Sequence, residues 1–300
     1  MILYNCLEKA VFLMNRLPGG GIEFFRMGEG EDTSKAEKVP SFLNRNGLRT
    51  RSKKFRGFWI HRIHYYRRKK QTKRIVLFLP GGGGMESATI LHYDTAARIA
   101  KRTGADIYIA AYPLAPKYNV RDALCWLEKV YAALLKNHDP KDIVFMGDSA
   151  GANLILSLTY RLKEKPGKLL VISPACGIEN GKNRNIRLAM EQYDPILTVE
   201  MNDVIATNWC RNVPLDSPDI SPEYIDYEGF PPMYFFYGEH EIFYPLVYDY
   251  LSSLRRKGVT FWEKKLPMCH DWALCSFLRE GRNAVRTMCK LVEESNDVSG

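Results

Sequence analysis

The amino-acid sequence predicts an α/β fold in which helices cover both faces of a mostly parallel central sheet. Short apolar segments alternate along the chain with longer segments of helical periodicity, and this alternation is typical of such a sheet. The length of 300 residues fits one large domain of this class. Hydrophobic residues make up 46% of the chain and charged residues 26%, a composition that excludes disordered, collagen-like and coiled-coil architectures.

The first predicted elements lie between residues 58 and 136. Aromatic and β-branched residues predict a strand at Phe58–Tyr66, and consecutive apolar residues predict a buried strand at Ile75–Leu79. An amphipathic stretch from about Glu86 to Arg102 predicts a helix, and Ala105–Ala111 is the next predicted strand. Leucines and a tyrosine near helical spacing predict a second helix over Asp122–Lys136.

The alternation continues from residue 143 to residue 294. Its apolar segments have the length of strands, and most are separated by stretches long enough for helices. In chain order the predicted elements are strand Ile143–Met146, helix Ala150–Leu162, strand Leu169–Ile172, strand Met233–Tyr237, helix Pro245–Lys257, strand Val259–Lys265 and helix Ala284–Glu294.

Two segments depart from the alternation. From Cys176 to Pro222 the sequence is polar and rich in Asn, which predicts an insertion at the position of a lid. The first fifty residues contain an amphipathic opening followed by Gly, Pro and charged residues. We therefore predict a single domain over residues 1–300, with both segments outside the sheet.

The net charge of +9 comes from one stretch of the chain. Thirteen Lys and Arg, and no acidic residue, lie between Arg45 and Ile75. This local basicity does not indicate a nucleic-acid partner. We interpret the stretch as a charged hairpin at a sheet edge, with Phe58–Tyr66 as a strand and Arg67–Arg74 as a solvated turn, because charged edges resist edge-to-edge aggregation. The alternative is peripheral contact with an anionic membrane surface.

The sequence also predicts the compartment of the protein. No apolar run is long enough to span a bilayer, and the N-terminus lacks a basic segment before its apolar residues. The seven cysteines are odd in number and include no CxxC pair, which fits reduced thiols. We expect a soluble cytoplasmic protein, and its oligomeric state is left open.

The strongest chemical signal is the segment Gly147-Asp148-Ser149-Ala150-Gly151. It matches G-x-S-x-G and lies between a predicted strand and a predicted helix. A nucleophilic serine needs such a sharp turn, and the flanking glycines leave room for its backbone. The pattern therefore predicts Ser149 as a nucleophile.

A nucleophilic serine also needs a base and an orienting acid, which follow it in the order Ser, acid, His. His270 follows the last predicted strand and is the predicted base. The acid belongs in the loop after strand Met233–Tyr237, where Glu241 is our choice and Glu239 the alternative.

The glycine run Gly81–Gly84 and the amide of Ala150 can donate to an oxyanion. This run has neither the G-x-G-x-x-G nor the Gly-Lys-Ser/Thr context of nucleotide sites.

These motifs, taken in order, resemble the hormone-sensitive-lipase-like branch of the α/β-hydrolase fold, particularly its small bacterial carboxylesterases. The resemblance runs from about residue 55 to the C-terminal helix. It rests on the segments Pro80-Gly81-Gly82-Gly83, Tyr112-Pro113-Leu114-Ala115-Pro116-Lys117, Gly147-Asp148-Ser149-Ala150-Gly151-Ala152-Asn153-Leu154, Asp194-Pro195-Ile196-Leu197, Gly238-Glu239-His240-Glu241-Ile242 and His270-Asp271.

The resemblance implies a serine carboxylesterase that acts on short- to medium-chain esters and needs neither metal nor cofactor. It implies Ser149, His270 and Glu241 as the catalytic triad. It implies Gly82, Gly83 and Ala150 as oxyanion donors, and a cap formed by residues 1–46 and 176–222. Three alternatives stay open: a catalytically impaired binding protein on the same scaffold, a peptidase, and a membrane-surface lipase that uses the basic stretch.

Two residues depart from the family pattern. The glycine loop of the family normally opens with histidine, and here it opens with Pro80. Proline lacks a backbone donor, and the glycines after it are flexible. We therefore expect a loop that is poorly fixed in shape, and slow turnover. The family acid is usually aspartate, and here glutamate stands at position 241.

Overall fold

One sheet of eight strands forms the centre of the molecule, in a computed structural model that describes residues 39–68, 72–177 and 181–294. The strands are β1 (Leu48–Phe55), β2 (Phe58–Tyr65), β3 (Ile75–Leu79), β4 (Asp106–Ala110), β5 (Ile143–Asp148), β6 (Lys168–Ile172), β7 (Met233–Gly238) and β8 (Trp262–Leu266). Their order in the sheet is β1-β2-β4-β3-β5-β6-β7-β8. Only the pairs β1–β2 and β2–β4 are antiparallel. The predicted mostly parallel sheet is thus confirmed.

Helices lie on both faces of the sheet, as predicted. The described helices are α1 (Ile90–Thr103), α2 (Val120–Leu134), α3 (Ala150–Arg161), α4 (Gly181–Met190), α5 (Val199–Trp209), α6 (Tyr244–Arg256) and α7 (Arg279–Glu293). Successive side chains of β3 enter two different cores. Leu77 packs in the core with α2, α3 and α6, whereas Phe78 packs in the core with α1 and α7. This double burial explains why β3 is an unbroken apolar run.

The basic stretch forms the edge hairpin that we predicted, but its turn lies elsewhere. β1 carries four of the thirteen basic side chains and pairs with β2 through a turn at Arg56 and Gly57. The predicted turn Arg67–Arg74 instead follows β2, and residues 69–71 lie outside the described residues. We missed β1 because a strand with one buried residue, Leu48, shows no apolar alternation.

The Asn-rich insertion contains helices α4 and α5, which the sequence pattern did not predict. Apolar residues of α5 such as Met201 and Ile205 pack in the same core as α3. Residues 1–38 of the predicted N-terminal cap segment lie outside the described residues. Across the described part of the chain, the helices lack the combination of length and apolarity that spanning a membrane requires.

Candidate active site

Ser149 occupies a tight turn between β5 and α3. Its backbone has φ 50° and ψ −120°, a conformation that costs energy in a residue with a side chain. The turn is tightly packed: a Cβ on Gly147 would overlap the carbonyl of Gly151, and a Cβ on Gly151 would overlap Leu79. Ser149 N–H donates to the carbonyl of Ile172 on β6 at 2.9 Å. The surrounding structure therefore fixes this strained serine at the carboxyl end of the parallel strands.

Glu241 and His270 meet in the loops that follow β7 and β8. Glu241 Oε2 lies 3.3 Å from His270 Nδ1, and both side chains are buried. The other carboxylate oxygen, Oε1, accepts hydrogen bonds from Ser173 Oγ at 2.7 Å and from Gly238 N–H at 2.6 Å. These donors orient Glu241, which leaves its second oxygen directed at the imidazole.

Glu239, the alternative acid, lies elsewhere. Its carboxylate forms an ion pair with Lys265 at 2.9 Å, and its side chain is one-third exposed. The geometry therefore brings Glu241, and not Glu239, to His270.

Carboxylates surround the His270 imidazole. Burial alone would lower its pKa, but the charges of Asp271, Glu241 and Asp194 raise it to about 10. Burial in turn raises the pKa of Asp194 to about 6. Asp194 also joins the insertion to the loop of Glu241, because its Oδ2 accepts Ile242 N–H at 2.8 Å.

The glycine loop after β3 is held by hydrogen bonds at several points. Tyr112 Oη–H donates to the Pro80 carbonyl at 2.6 Å, and Gly81 N–H donates to Asp148 Oδ2 at 3.1 Å. The Gly84 carbonyl accepts Ala115 N–H at 2.8 Å. Our expectation of a poorly fixed loop after Pro80 was therefore wrong, because contacts from distant parts of the chain fix its backbone.

His92 and Asp148 also hold this loop in place, and no sequence motif indicated that role for either residue. His92 Nδ1 accepts Thr89 N–H at 2.8 Å, so a neutral imidazole carries its proton on Nε2. Nε2 lies 3.0 Å from Asp148 Oδ2, the same oxygen that accepts Gly81 N–H. This buried chain of contacts connects α1, the glycine loop and the residue before Ser149.

A cavity of about 320 Å³ joins these elements, and Gly82, Gly83, Ser149, Ala150 and His270 all line it. Its other walls are mostly apolar side chains: Leu91, Val120, Leu154, Ile196, Leu197, Met201, Ile205, Trp209, Ile220, Phe243 and Leu274.

Trp209 at the end of α5 closes one wall of this cavity. It packs so closely on Gly84 that a Cβ there would overlap its ring, and Gly84 has φ 69°. The Trp209 ring also contacts Tyr112, with ring centroids 5.9 Å apart. Helix α5 and the glycine loop are therefore in direct contact.

The described residues include no group of three His, Cys, Asp or Glu side chains arranged to hold a metal ion. The chemistry that this arrangement supports is nucleophilic. A strained serine faces a cavity together with a buried imidazole, whose second nitrogen is oriented by a carboxylate.

Comparison with known proteins places this geometry in a family. Residues 76–274 match the family model described as alpha/beta hydrolase fold. An esterase of Acinetobacter venetianus is 29% identical over 175 residues, which cover 56% of this chain and 57% of the esterase. Arylacetamide deacetylase of Rattus norvegicus is 35% identical over 115 residues, which cover 35% of this chain and 29% of the deacetylase. The matches thus span less than two-thirds of these relatives.

A crystal structure described as a hormone-sensitive lipase from a metagenome library has the same fold. Its TM-score is 0.78 at 19% identity, and the match covers 96% of this chain and 97% of the other. The family model covers the sheet from β3 onward, the serine turn and the loops of Glu241 and His270. The chain belongs to the α/β-hydrolase family, in its hormone-sensitive-lipase-like branch.

Proposed function

We propose that this protein is a serine carboxylester hydrolase that works through an acyl-enzyme on Ser149. One observation carries the proposal: Ser149, in its strained turn, lines the same cavity as His270, whose Nδ1 lies 3.3 Å from Glu241. The names of the relatives support the reaction class, since one is an esterase and another a deacetylase.

The proposed reaction has two halves. Ser149 Oγ attacks the ester carbonyl carbon while His270 Nε2 takes the hydroxyl proton. The tetrahedral intermediate collapses, the bond to the alcohol oxygen breaks, and His270 gives its proton to that oxygen. Water then attacks the acyl-enzyme with His270 as base, which releases the acid and restores Ser149. Glu241 stabilises the imidazolium that forms in each half.

The oxyanion of the intermediate needs donors that are already in position. We assign this role to the backbone N–H groups of Gly82, Gly83 and Ala150, three residues that line the same cavity as Ser149. The hydrogen bonds at Pro80, Gly81 and Gly84 hold the loop before substrate arrives. The positive end of helix α3 also favours negative charge at this position.

The cavity indicates the size of the substrate. A volume of about 320 Å³ lies at the small end of the range for ligand pockets, roughly 300–1,000 Å³. Its apolar walls exclude water from an acyl chain. We infer a preference for esters of short to medium chain length, with α4 and α5 acting as the cap over the site.

Hydrolysis of p-nitrophenyl esters of increasing acyl length tests the function, with wild type beside Ser149→Ala. We expect measurable turnover of short esters and a loss of roughly 10⁴–10⁶-fold in kcat for Ser149→Ala, and for His270→Ala, as in other serine hydrolases. Ser157→Ala is the matched control, because Ser157 lies on α3, the helix that follows Ser149, and donates to the carbonyl of Pro218 instead. Near wild-type turnover by folded Ser149→Ala would refute the assignment.

A fluorophosphonate probe separates the alternatives. Covalent labelling of wild type, but not of Ser149→Ala, supports an activated serine. A folded protein that is not labelled and hydrolyses no ester would be the binding protein on the same scaffold. Faster turnover of peptide amides than of esters would instead indicate a peptidase.

A further inference from the structure

Asp271 directly follows the proposed base and has a fixed backbone. Its φ of 55° lies in the left-handed region. Its N–H donates to Ser173 Oγ at 3.1 Å, and its carbonyl accepts Leu274 N–H at 3.0 Å. Ser173 also donates to Glu241, so one hydroxyl connects the loops of the acid and the base. The Asp271 side chain therefore projects from a defined point beside the imidazole.

The Asp271 carboxylate lies on the side of His270 opposite Glu241. Its Oδ2 is 3.4 Å from His270 Nε2, the nitrogen that must exchange a proton with Ser149. Neither His270 Nε2 nor Asp271 Oδ1 has a hydrogen-bond partner among the described residues. The Asp271 side chain is 22% exposed and lines the cavity. The imidazole thus lies between two carboxylates, although the proposed triad requires only one.

We propose that Asp271 is a second carboxylate partner of His270, on the side of Ser149, and that it sets the pH range in which His270 acts as a base. This inference rests on the proposed function. Asp271 acts through His270 and forms no bond with the substrate during the reaction.

The charges around the pair give the direction of the effect. His270 faces the carboxylates of Asp271, Glu241 and Asp194, and these raise its pKa to about 10 against the opposing effect of burial. Burial, together with Asp148 and Glu241, raises the pKa of Asp271, while His270 and His92 lower it. The Cys275 thiol also lies near Asp271, and burial raises its pKa to about 12.

His270 Nε2 and Asp271 Oδ2, 3.4 Å apart, are close enough to titrate as a coupled pair, and the carboxylate charge favours a proton on Nε2. That proton has to leave before Nε2 can accept the proton of Ser149. Because a neighbouring negative charge favours imidazolium, activity must rise as the pH increases through the raised pKa. Removal of the Asp271 charge lowers that pKa, so activity must then begin at lower pH.

Asp271→Asn and Asp271→Gly test the proposal with little disturbance of the backbone. Both residues tolerate the left-handed conformation, whereas alanine is strained there. The two variants share the loss of charge but differ in their ability to hydrogen-bond with Nε2. Asp249→Asn, a change of one exposed carboxylate on α6, is the matched control.

The first measurement is kcat/KM for p-nitrophenyl acetate as a function of pH, with thermal melts to confirm folding. We expect the midpoint of the acidic limb of the wild-type pH profile to lie well above pH 7. In both Asp271 variants this midpoint should move down by about 1–3 pH units, with a gain in activity at neutral pH. A wild-type midpoint near pH 6.5, the ordinary pKa of histidine, would overturn the proposal without any variant.

The second measurement does not depend on turnover. An NMR titration of the His270 ring, assigned by its loss in His270→Gln, reports the imidazole pKa in wild type and Asp271→Asn. A lower His270 pKa in the variant supports the proposal even if the protein hydrolyses no ester. In that case the proposed function is wrong, and the role of Asp271 still stands. Equal values in the two proteins refute the role of Asp271, whatever the activity.

Discussion

Glu241 has a separate task at each carboxylate oxygen. Oε1 accepts from Ser173 and Gly238, and Oε2 faces His270 Nδ1. A carboxylate can accept at both oxygens, whereas an amide must present NH₂ at one of them. Replacement by glutamine therefore disturbs either the loop contacts or the orientation of the imidazole.

Paired substitutions at positions 241 and 239 test which glutamate is the acid. We expect Glu241→Gln to lose roughly 10²–10⁴ in kcat, because removal of an orienting acid costs less than removal of the nucleophile. Glu239→Gln, the matched control, removes the ion pair with Lys265 and should stay within about twofold of wild type. The measurement is kcat for a short p-nitrophenyl ester, and the reverse ranking would assign the acid to Glu239.

The residues at the site differ in how far sequence could predict them. The chain order of the predicted strands and loops predicts Ser149, Glu241 and His270 in loops at the carboxyl ends of the strands, because parallel strands end together there. Ser173 and His92 could not be predicted. Ser173 contacts Glu241 across 68 residues, and His92 contacts Asp148 across 56 residues, so neither forms a local motif.

Among the elements, the glycine loop is where the structure changes our expectation most. Pro80 is buried, and its carbonyl accepts the Tyr112 hydroxyl. We therefore expect Pro80→His to leave kcat within about twofold of wild type or to lower it. Hydrogen bonds already hold the loop, so a histidine at position 80 can add little further order. Steady-state kinetics and thermal melts provide the test. A tenfold rise in kcat would show that the loop is still poorly organised.

Tyr112→Phe removes one hydrogen bond of the loop and leaves the buried Pro80 carbonyl without that donor. We expect a loss of about 1–3 kcal/mol in the free energy of unfolding. We also expect a fall of about 5- to 10-fold in kcat, because the proposed oxyanion donors Gly82 and Gly83 lie two and three residues after Pro80.

Tyr131→Phe is the matched control for Tyr112→Phe. The Tyr131 hydroxyl is buried and has no hydrogen-bond partner within the described ranges. Its removal should leave stability unchanged or raise it, with no effect on kcat. Denaturant unfolding and kinetics measure both variants, and equal effects of the two substitutions would argue against the loop contact.

The elements that sequence predicted best are those buried on both faces. Strand β3 has the bounds that its apolar run predicts, Ile75–Leu79. β1 could not be predicted, because seven of its eight residues contact solvent at least in part. Helix α4 lies in an Asn-rich stretch, and contacts with residues outside the helix fix it. Buried Arg187 donates to the carbonyl of Gly177, and Arg184 donates to Asp203 on α5.

At the scale of the whole molecule, the basic hairpin lies at one edge of the sheet, and the proposed site lies at the carboxyl ends of its central strands. β1 presents exposed Arg51, Lys53 and Lys54 along its length. Charged side chains on an edge strand discourage pairing with a second sheet. We therefore interpret the hairpin as a solvated edge.

Charge reversal of Arg51, Lys53 and Lys54 to glutamate tests this interpretation. Turnover of a soluble short-chain ester should remain unchanged, and neither protein should bind phosphatidylserine vesicles more than the control does. The control reverses Lys129, Arg256 and Lys257, three exposed cations on α2 and at the end of α6. Strong wild-type binding that weakens with salt and disappears only in the hairpin variant would indicate the membrane-surface lipase.

We expect the contact between Trp209 and Gly84 to couple substrate size to reaction rate. Trp209 lines the cavity and lies against the loop that carries Gly82 and Gly83. We therefore expect an acyl chain that is too long for the cavity to displace Trp209, and with it the two proposed oxyanion donors. With increasing acyl length we expect kcat to fall more steeply than KM rises. In Trp209→Ala we expect kcat to depend less on acyl length. The cap would then discriminate between esters in the transition state rather than by exclusion at the entrance.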